Sequence, residues 1–409
     1  MNCRACGAAV ELPFVDLVNA PASNSYLTKA QLDEPEPYYP LAVHVCESCW
    51  LVQIGEYKSS DDIFDEDYAY FSSYSTSWLA HAKAYVESMT ARLGLSSESS
   101  VLEVASNDGY LLQYFVETKV PCLGVEPTGG TAAAAREKGV ETVELFWGAD
   151  TARQIVAERG KFDLMLGNNV LAHVPDINDF VSGFALALAP GGTLTFEFPH
   201  ILCLIRESQF DTIYHEHFSY LSLLAVKRLF EAHGLCVYDV DELSTHGGSL
   251  RVFVRQAAHE SLAVQPSVEA LLVKERAAGL EESKGYSGFQ QATDAIRAGA
   301  MTFLYEQRAA GKRVAAYGAA AKGNTLLNYC GVKGTELIEF VVDRNPNKQG
   351  QYLPGSHIPI VSEDRMRESR PDFVVVLPWN LREELRAQLD YVREWGGRLV
   401  TFVPELVID

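Results

Sequence analysis

The chain reads as an α/β protein in three parts, and three observations lead there. Two Cys-x-x-Cys pairs, Cys3/Cys6 and Cys46/Cys49, bracket a short amino-terminal stretch. From Ser100 onward, apolar strand-like runs alternate with helical ones, and a second such series begins at Arg313. Alternation of this kind predicts a parallel sheet with helices on both faces. The expected architecture is therefore a cysteine-stapled module over residues 1–60, an α/β domain over 61–256, and a helical connection with a second Rossmann-like domain over 257–409. At roughly 150 residues per domain, two or three domains are the natural division of 409 residues.

The first module offers short strands at Val10–Leu17, Leu41–Val45 and Trp50–Ile54, with too little apolar sequence to fold without a staple. An aromatic run, Tyr68 to Tyr74, precedes apolar residues at helical spacing from Trp78 to Leu93, closed by Gly94. The central domain then offers strands at Val101–Val104, Cys122–Glu126, Thr142–Leu145, Phe162–Leu166 and Thr193–Phe198. Two more, Cys236–Val240 and Leu250–Arg255, lie close enough across Ser244–Gly248 to form an edge hairpin. Residues 257–310 are helical in pattern. The last series places strands at Arg313–Tyr317, Ile338–Val342, Phe373–Leu377 and Leu399–Val403.

Composition narrows the function. Thirty-four Lys and Arg against 54 Asp and Glu leave a net charge of −20, which argues against nucleic-acid or anionic-membrane binding. No run approaches the ~18–20 apolar residues of a membrane span. The amino terminus lacks the basic start and apolar core of a signal peptide, so a cytoplasmic location is expected. In that compartment disulfides are out of place, and two Cys-x-x-Cys pairs match a four-thiolate Zn2+ site with Cys3, Cys6, Cys46 and Cys49 as ligands. Four thiolates leave no open coordination position, so the metal is structural. The other cysteines, Cys122, Cys203, Cys236 and Cys330, read as buried core thiols.

The segment Val101-Leu-Glu-Val-Ala-Ser-Asn-Asp-Gly109 joins a buried strand to a helix. Such a turn brings backbone N–H groups and a helix N-terminus towards a ligand. A second strand ends in Glu126 and Pro127, where a carboxylate suits the two hydroxyls of a ribose. This spacing fits a dinucleotide or S-adenosylmethionine. The loop lacks GxGxxG, which disfavours a dinucleotide and with it a nicotinamide dehydrogenase. It resembles the first motif of class I S-adenosylmethionine-dependent methyltransferases, with Ala105 at that family's first glycine. The resemblance implies a cofactor site drawn from Glu103, Ala105, Asn107, Asp108, Gly109, Glu126 and Pro127. Trp147, Asn168 and Asn169 join it after the third and fourth strands, Trp147 as an aromatic cover for the adenine.

Thr212 to Tyr220 contains Tyr214, His215, Glu216 and His217. Metal binding is one reading, but adjacent residues face different sides and no HExxH spacing is present. A general base is more economical, because His titrates near neutral pH and Glu216 can hold a tautomer or relay a proton.

Taken in order, the cysteine pairs, the ExxSNDG loop, Tyr-His-Glu-His217, Thr245-His-Gly-Gly-Ser-Leu-Arg251, Tyr317-Gly-Ala-Ala-Ala-Lys-Gly-Asn-Thr325 and Val342 to Lys348 resemble a family across nearly the whole chain. The family is that of the sugar C-methyltransferases acting on nucleotide-linked, usually TDP-linked, 4-keto-6-deoxysugars in antibiotic sugar biosynthesis. The resemblance implies methylation at C3 through an enolate, with His217 as base and Tyr214 and Glu216 in support. It also implies substrate contacts from Tyr68, Tyr70 and His173. From their own setting, His246 and Arg251 in the Gly-rich edge hairpin are candidates for a phosphate, and Lys322 in the small-residue loop Gly318–Asn324 for a diphosphate. A monomer or weak dimer is expected. A C- or O-methyltransferase of a non-sugar small molecule is the alternative, and a relic fold that only binds is a third reading.

Overall fold

The computed structural model describes residues 1–57 and 71–409. Contacts gather these into two compact units. The first comprises Met1–Val10, Cys46–His200 and Phe218–Glu281, and the second Glu11–Val45, Ile201–His217 and Glu282–Asp409. Strands β1 (Leu12–Ala20) and β2 (Tyr39–Val45) fall in the second unit. The first unit holds β3 (Val52–Ile54), β4 (Val101–Val104), β5 (Cys122–Val125), β6 (Thr142–Val143), β7 (Phe162–Asn168), β8 (Leu188–Pro199), β9 (Ser219–Tyr220), β10 (Leu235–Leu243) and β11 (Ser249–Gln256).

In the first unit, the described residues build a seven-stranded sheet in the order β10-β11-β8-β7-β4-β5-β6. Strands β4 to β8 run parallel, with Glu103 opposite Gly124 and Leu166 opposite Thr195. Strands β8, β11 and β10 run antiparallel, so the expected edge hairpin is present, with Leu243 opposite Ser249. The chain starts at β4, adds β5 and β6 on one side, then returns to add β7 on the other. That places a topological switch point, where open α/β sheets bind ligands, at the carboxyl ends of β4 and β7.

The helix Thr76–Leu93 supports this sheet. Ser75 caps it by accepting from the Trp78 N–H at 3.2 Å, and Gly94 ends it with φ 64°, the left-handed turn that glycine adopts without a Cβ penalty. Its buried residues Ala82, Tyr85, Val86 and Met89 follow helical spacing and pack on Leu111, Phe115, Leu164 and Phe253. Fully burying a side chain of Phe or Leu size contributes about 1.5–3 kcal/mol, so this face fixes the helix on the sheet.

In the second unit, β1 and β2 form an antiparallel pair with Leu12 opposite Val45. Phe14 stacks on Phe289, at 4.5 Å between centroids, where the helix Phe289–Ala309 begins. A second sheet follows from β12 (Val314–Tyr317), β13 (Val341–Val342), β14 (Ile360–Val361), β15 (Phe373–Val376), β16 (Arg398–Thr401) and β17 (Val407–Ile408). Its order among the described residues is β14-β13-β12-β15-β16-β17, parallel except for β17. This is the second Rossmann-like domain the alternation predicts.

Three expectations need correction. The strand expected over Ile338–Val342 is reduced to Val341–Val342, and that over Thr142–Leu145 to Thr142–Val143. Of the four scattered cysteines only Cys330 is buried; Cys122, Cys203 and Cys236 are half-buried.

Candidate active site and metal centre

The four amino-terminal cysteines converge. All four Sγ atoms lie within 4.8 Å of one another, with Cys3 3.5 Å from Cys49 and Cys6 3.5 Å from Cys46. Zn–S bonds of about 2.3 Å in a tetrahedron set sulfurs about 3.8 Å apart, so the donor set fits zinc in both chemistry and spacing. Each pair sits on the same local turn. Gly7 N–H donates to Cys3 O at 2.9 Å and Trp50 N–H to Cys46 O at 2.7 Å, and both Gly7 and Trp50 have positive φ, 76° and 65°. The neighbouring Cys49 thiol draws Cys3 down to about 4 and is itself pushed up. Gln53 Nε2 donates to Cys3 Sγ at 3.2 Å, as suits a thiolate.

At the carboxyl end of β4, Ala105, Asn107 and Gly109 all have positive φ, of 56°, 49° and 72°. The turn tightens around Glu126, whose carboxylate accepts from Asn107 N–H at 2.9 Å and from Thr128 N–H at 3.1 Å. Asn107 Oδ1 accepts from Ser72 N–H at 2.8 Å. Asp108 is committed internally: it takes the Ser73 hydroxyl and pairs with Lys138 at 2.8 Å. Glu103 is fully buried, which pushes its carboxyl well above the usual range. Gly124 has no room for a side chain, since a Cβ there would lie 2.4 Å from Ser106 Oγ. Pro127 follows Glu126 directly as the chain leaves β5.

Across the switch point, Asn168 ends β7 and donates to the Tyr110 hydroxyl at 3.3 Å. Asn169, with φ 54°, lies 3.2 Å from His246 Nε2. Trp78 gathers an aromatic cluster there that the sequence reading missed. Its ring stacks on His81 at 5.0 Å and Tyr110 at 5.8 Å, and meets His246 edge-on at 5.2 Å. Helical spacing marked Trp78 only as the start of a packing face. His173 is half-buried in the turn Leu171–His173 after β7.

Two assignments change here. Trp147, expected over the adenine, is 9% exposed and donates its indole N–H to Phe180 O at 3.2 Å; the exposed ring of that segment is Phe146. Arg251, expected on a phosphate, pairs with buried Glu197 at 2.7 Å and lies over the Tyr85 ring. Its charge is neutralised inside the unit. Tyr68 and Tyr70 lie outside the described residues.

In the second unit the Tyr-His-Glu-His segment separates by role. His215 is buried, with Nε2 3.3 Å and 3.2 Å from the carbonyls of Tyr39 and Pro40; burial lowers its pKa. Glu216, also buried, accepts from Asn24 Nδ2 at 3.2 Å. His217 Nδ1 lies 2.8 Å from Thr212 O. A carbonyl only accepts, so Nδ1 carries the proton and Nε2 is the basic nitrogen of the neutral ring. The Tyr214 ring packs on it, 3.9 Å between centroids. Lys322 donates to Asn380 Oδ1 at 3.0 Å and lies 4.9 Å from the centre of the Trp379 ring; burial lowers its pKa. Asn24 and Trp379 left no local signal, because each reaches its partner across more than 150 positions of chain.

Comparison with known proteins agrees with this layout. The family model described as "Putative zinc binding domain" matches residues 3–64, "Methyltransferase domain" residues 78–240, and "C-methyltransferase C-terminal domain" residues 244–404. C-methyltransferase NovU from Streptomyces niveus is 36% identical over 406 residues, 99% of this chain and 96% of that one. A ubiquinone biosynthesis O-methyltransferase from Bradyrhizobium sp. (strain ORS 278) is 29% identical over 97 residues, 23% of this chain and 37% of its own length. Among solved structures, magnesium protoporphyrin IX methyltransferase (ChlM) from Synechocystis PCC 6803 with bound SAM is 14% identical, covering 43% of this chain and 80% of that one with a TM-score of 0.32.

A seven-stranded sheet with a glycine-poor turn at its switch point, in the unit that also holds the four cysteines, together with the matched methyltransferase domain, defines an S-adenosylmethionine-dependent methyltransferase, an enzyme of EC 2.1.1. Within that class the chain belongs to the C-methyltransferase family that includes NovU. Among the described residues, no helix is long and apolar enough to cross a membrane.

Proposed function

We propose that the enzyme transfers a methyl group to C3 of a TDP-linked 4-keto-6-deoxysugar, in deoxysugar and antibiotic biosynthesis. The observation that carries this reading is the 2.8 Å contact between His217 Nδ1 and Thr212 O, which places the proton on Nδ1 because a carbonyl only accepts. A C–H beside a ketone yields a carbon nucleophile only if a base removes its proton, and a neutral imidazole is suited to that near pH 7. In this reading His217 Nε2 takes the C3 proton, while the Tyr214 hydroxyl donates to the oxygen at C4 as the enolate develops. A well-sited donor of that kind contributes about 2.7–4 kcal/mol to the transition state. Glu216 supports the proton's exit.

Bound S-adenosylmethionine supplies the electrophilic methyl. Glu103, Ala105, Asn107, Asp108 and Gly109 form its loop, with Glu126 and Pro127 at the ribose and Asn168 and Asn169 across the switch point. Substrate contacts are assigned to His173 and His246, with Tyr68 and Tyr70 from the segment outside the described residues. The four cysteines hold Zn2+ in a structural role.

Two measurements test the reading. Titration of TDP into the enzyme saturated with S-adenosylhomocysteine, with UDP and GDP as controls, is expected to show selective TDP binding. His217→Asn and Tyr214→Phe are expected to lose methyl transfer while keeping S-adenosylhomocysteine affinity. Full turnover in both variants would remove the mechanism, and binding of S-adenosylhomocysteine without any nucleotide would remove the sugar nucleotide.

A further inference from the structure

In the second unit, the sheet order β14-β13-β12-β15-β16-β17 places its own switch point between β12 and β15. In a nucleotide-binding Rossmann fold this is the ligand crevice, where the first helix points its N-terminus at a phosphate. Here the helix is Ala321–Cys330, and Ala320 provides no side-chain cap. The crevice receives a carboxylate from the chain itself. Asp211 is fully buried, and its Oδ2 accepts from Trp379 Nε1–H at 2.7 Å. Trp379 opens the turn after β15, and Lys322 lies in the first turn of the helix after β12, above the Trp379 ring. Lys322 itself donates to Asn380 Oδ1 at 3.0 Å, in the same turn as Trp379.

The same helix grips the chain two residues further on, where Thr325 Oγ1 donates to Ile213 O at 2.9 Å. Between these two anchors lies Thr212, whose carbonyl holds His217 Nδ1. The Phe210–Thr212 turn is closed by Ile213 N–H donating to Phe210 O at 3.0 Å. The backbone carbonyl that sets the imidazole tautomer is thus flanked on both sides by residues anchored to the turn after β15 and the helix after β12. Asp343, at the end of β13, is likewise used internally: it accepts from the N–H groups of Ala319 and Asn345, each at 2.8 Å.

We propose that Asp211 is a positioning residue for His217. Held by the Trp379 indole, it fixes the turn whose Thr212 carbonyl keeps the proton on Nδ1, and the switch point of the second sheet works as a splint for the base rather than as a nucleotide site. The proposal rests on the reading of His217 as the base. Lys322, expected on a substrate diphosphate, is instead engaged within this crevice, bonded to Asn380 Oδ1 at 3.0 Å and lying over the Trp379 ring.

The test combines nitrogen-15 NMR of histidine-labelled enzyme with steady-state kinetics on a TDP-4-keto-6-deoxysugar. His217→Asn identifies the His217 resonances. Trp379→Phe removes the N–H and keeps the ring; Asp211→Asn keeps an acceptor for that N–H. The wild type is expected to show the Nδ1–H tautomer at His217. Trp379→Phe is expected to lose that preference and to lower kcat about 10- to 100-fold, the scale of a small misplacement of a reacting group, with KM changed less than about twofold. Asp211→Asn is expected to retain both. An unchanged tautomer in Trp379→Phe overturns the proposal even if kcat falls, and so does a changed tautomer with unchanged kcat. Should Trp379→Phe fail to fold, Asp211→Leu provides the same comparison against Asp211→Asn. Full turnover by His217→Asn overturns the base reading instead, while the tautomer data still report whether the splint exists.

Discussion

Ala105, Asn107 and Gly109 show how the turn after β4 dispenses with a run of glycines: all three adopt positive φ, which an Asn tolerates better than most residues. Glu126, bonded to the Asn107 and Thr128 N–H groups, holds the turn from the next strand. Spacing marked a turn at this place, as it marked the convergence of the four cysteines; which ligand the turn serves came only from the resemblance to a family. Facing was harder to read. Trp147 lies four residues beyond Val143, where β6 ends, so strand alternation no longer reported which ring was buried. Arg251 pairs with Glu197, 54 positions away, and a long-range partner of that kind leaves no local pattern. His215 carries a prediction of its own. Burial lowers its pKa, so below the unfolded value of about 6.5 the unfolded chain binds more protons than the fold. Stability present above that pH is therefore lost as pH falls towards the lowered folded value. His215→Gln, which keeps a donor for the two carbonyls, is expected to show a shallower loss as pH falls below about 6.5 in denaturant titrations.

Helices and strands were legible where their hydrophobic period ran long. The helix Thr76–Leu93 follows the expected face and ends at the expected Gly94. The two-residue strands β6 and β13 are too short for alternation to set their ends, and there the expected ranges were too long, while β14, equally short, was not expected at all. A close crossing of two helices escaped notice altogether. Gly183, in the helix Ile177–Ala187, faces Gly148 at the start of the helix Ala149–Arg159. A Cβ on Gly183 would stand 2.9 Å from Gly148 O and 2.8 Å from Trp147 Nε1. Gly183→Ala is expected to force the helices apart and cost about 1–3 kcal/mol, read as a lower midpoint of unfolding with an unchanged m-value.

At the scale of the whole molecule, the zinc cysteines are split by sequence but joined in one unit, since Met1–Val10 and Cys46–His200 both belong to the first. A metal that joins the ends of a long loop contributes folding energy directly. Cys6→Ser, or treatment with a strong chelator, is expected to remove about one zinc per chain by elemental analysis and to lower the unfolding temperature. The second unit is assembled from three separate stretches of chain. Its first strand packs Phe14 on Phe289, a partner that emerges 289 − 14 = 275 residues later. At roughly 5–20 residues per second, the ribosome leaves this hairpin waiting for on the order of 14–55 seconds. During that interval Phe14 lacks its native partner, so the nascent chain is expected to benefit from a holding chaperone, and its yield in a heterologous host to depend on translation speed more than on the stability of the finished enzyme.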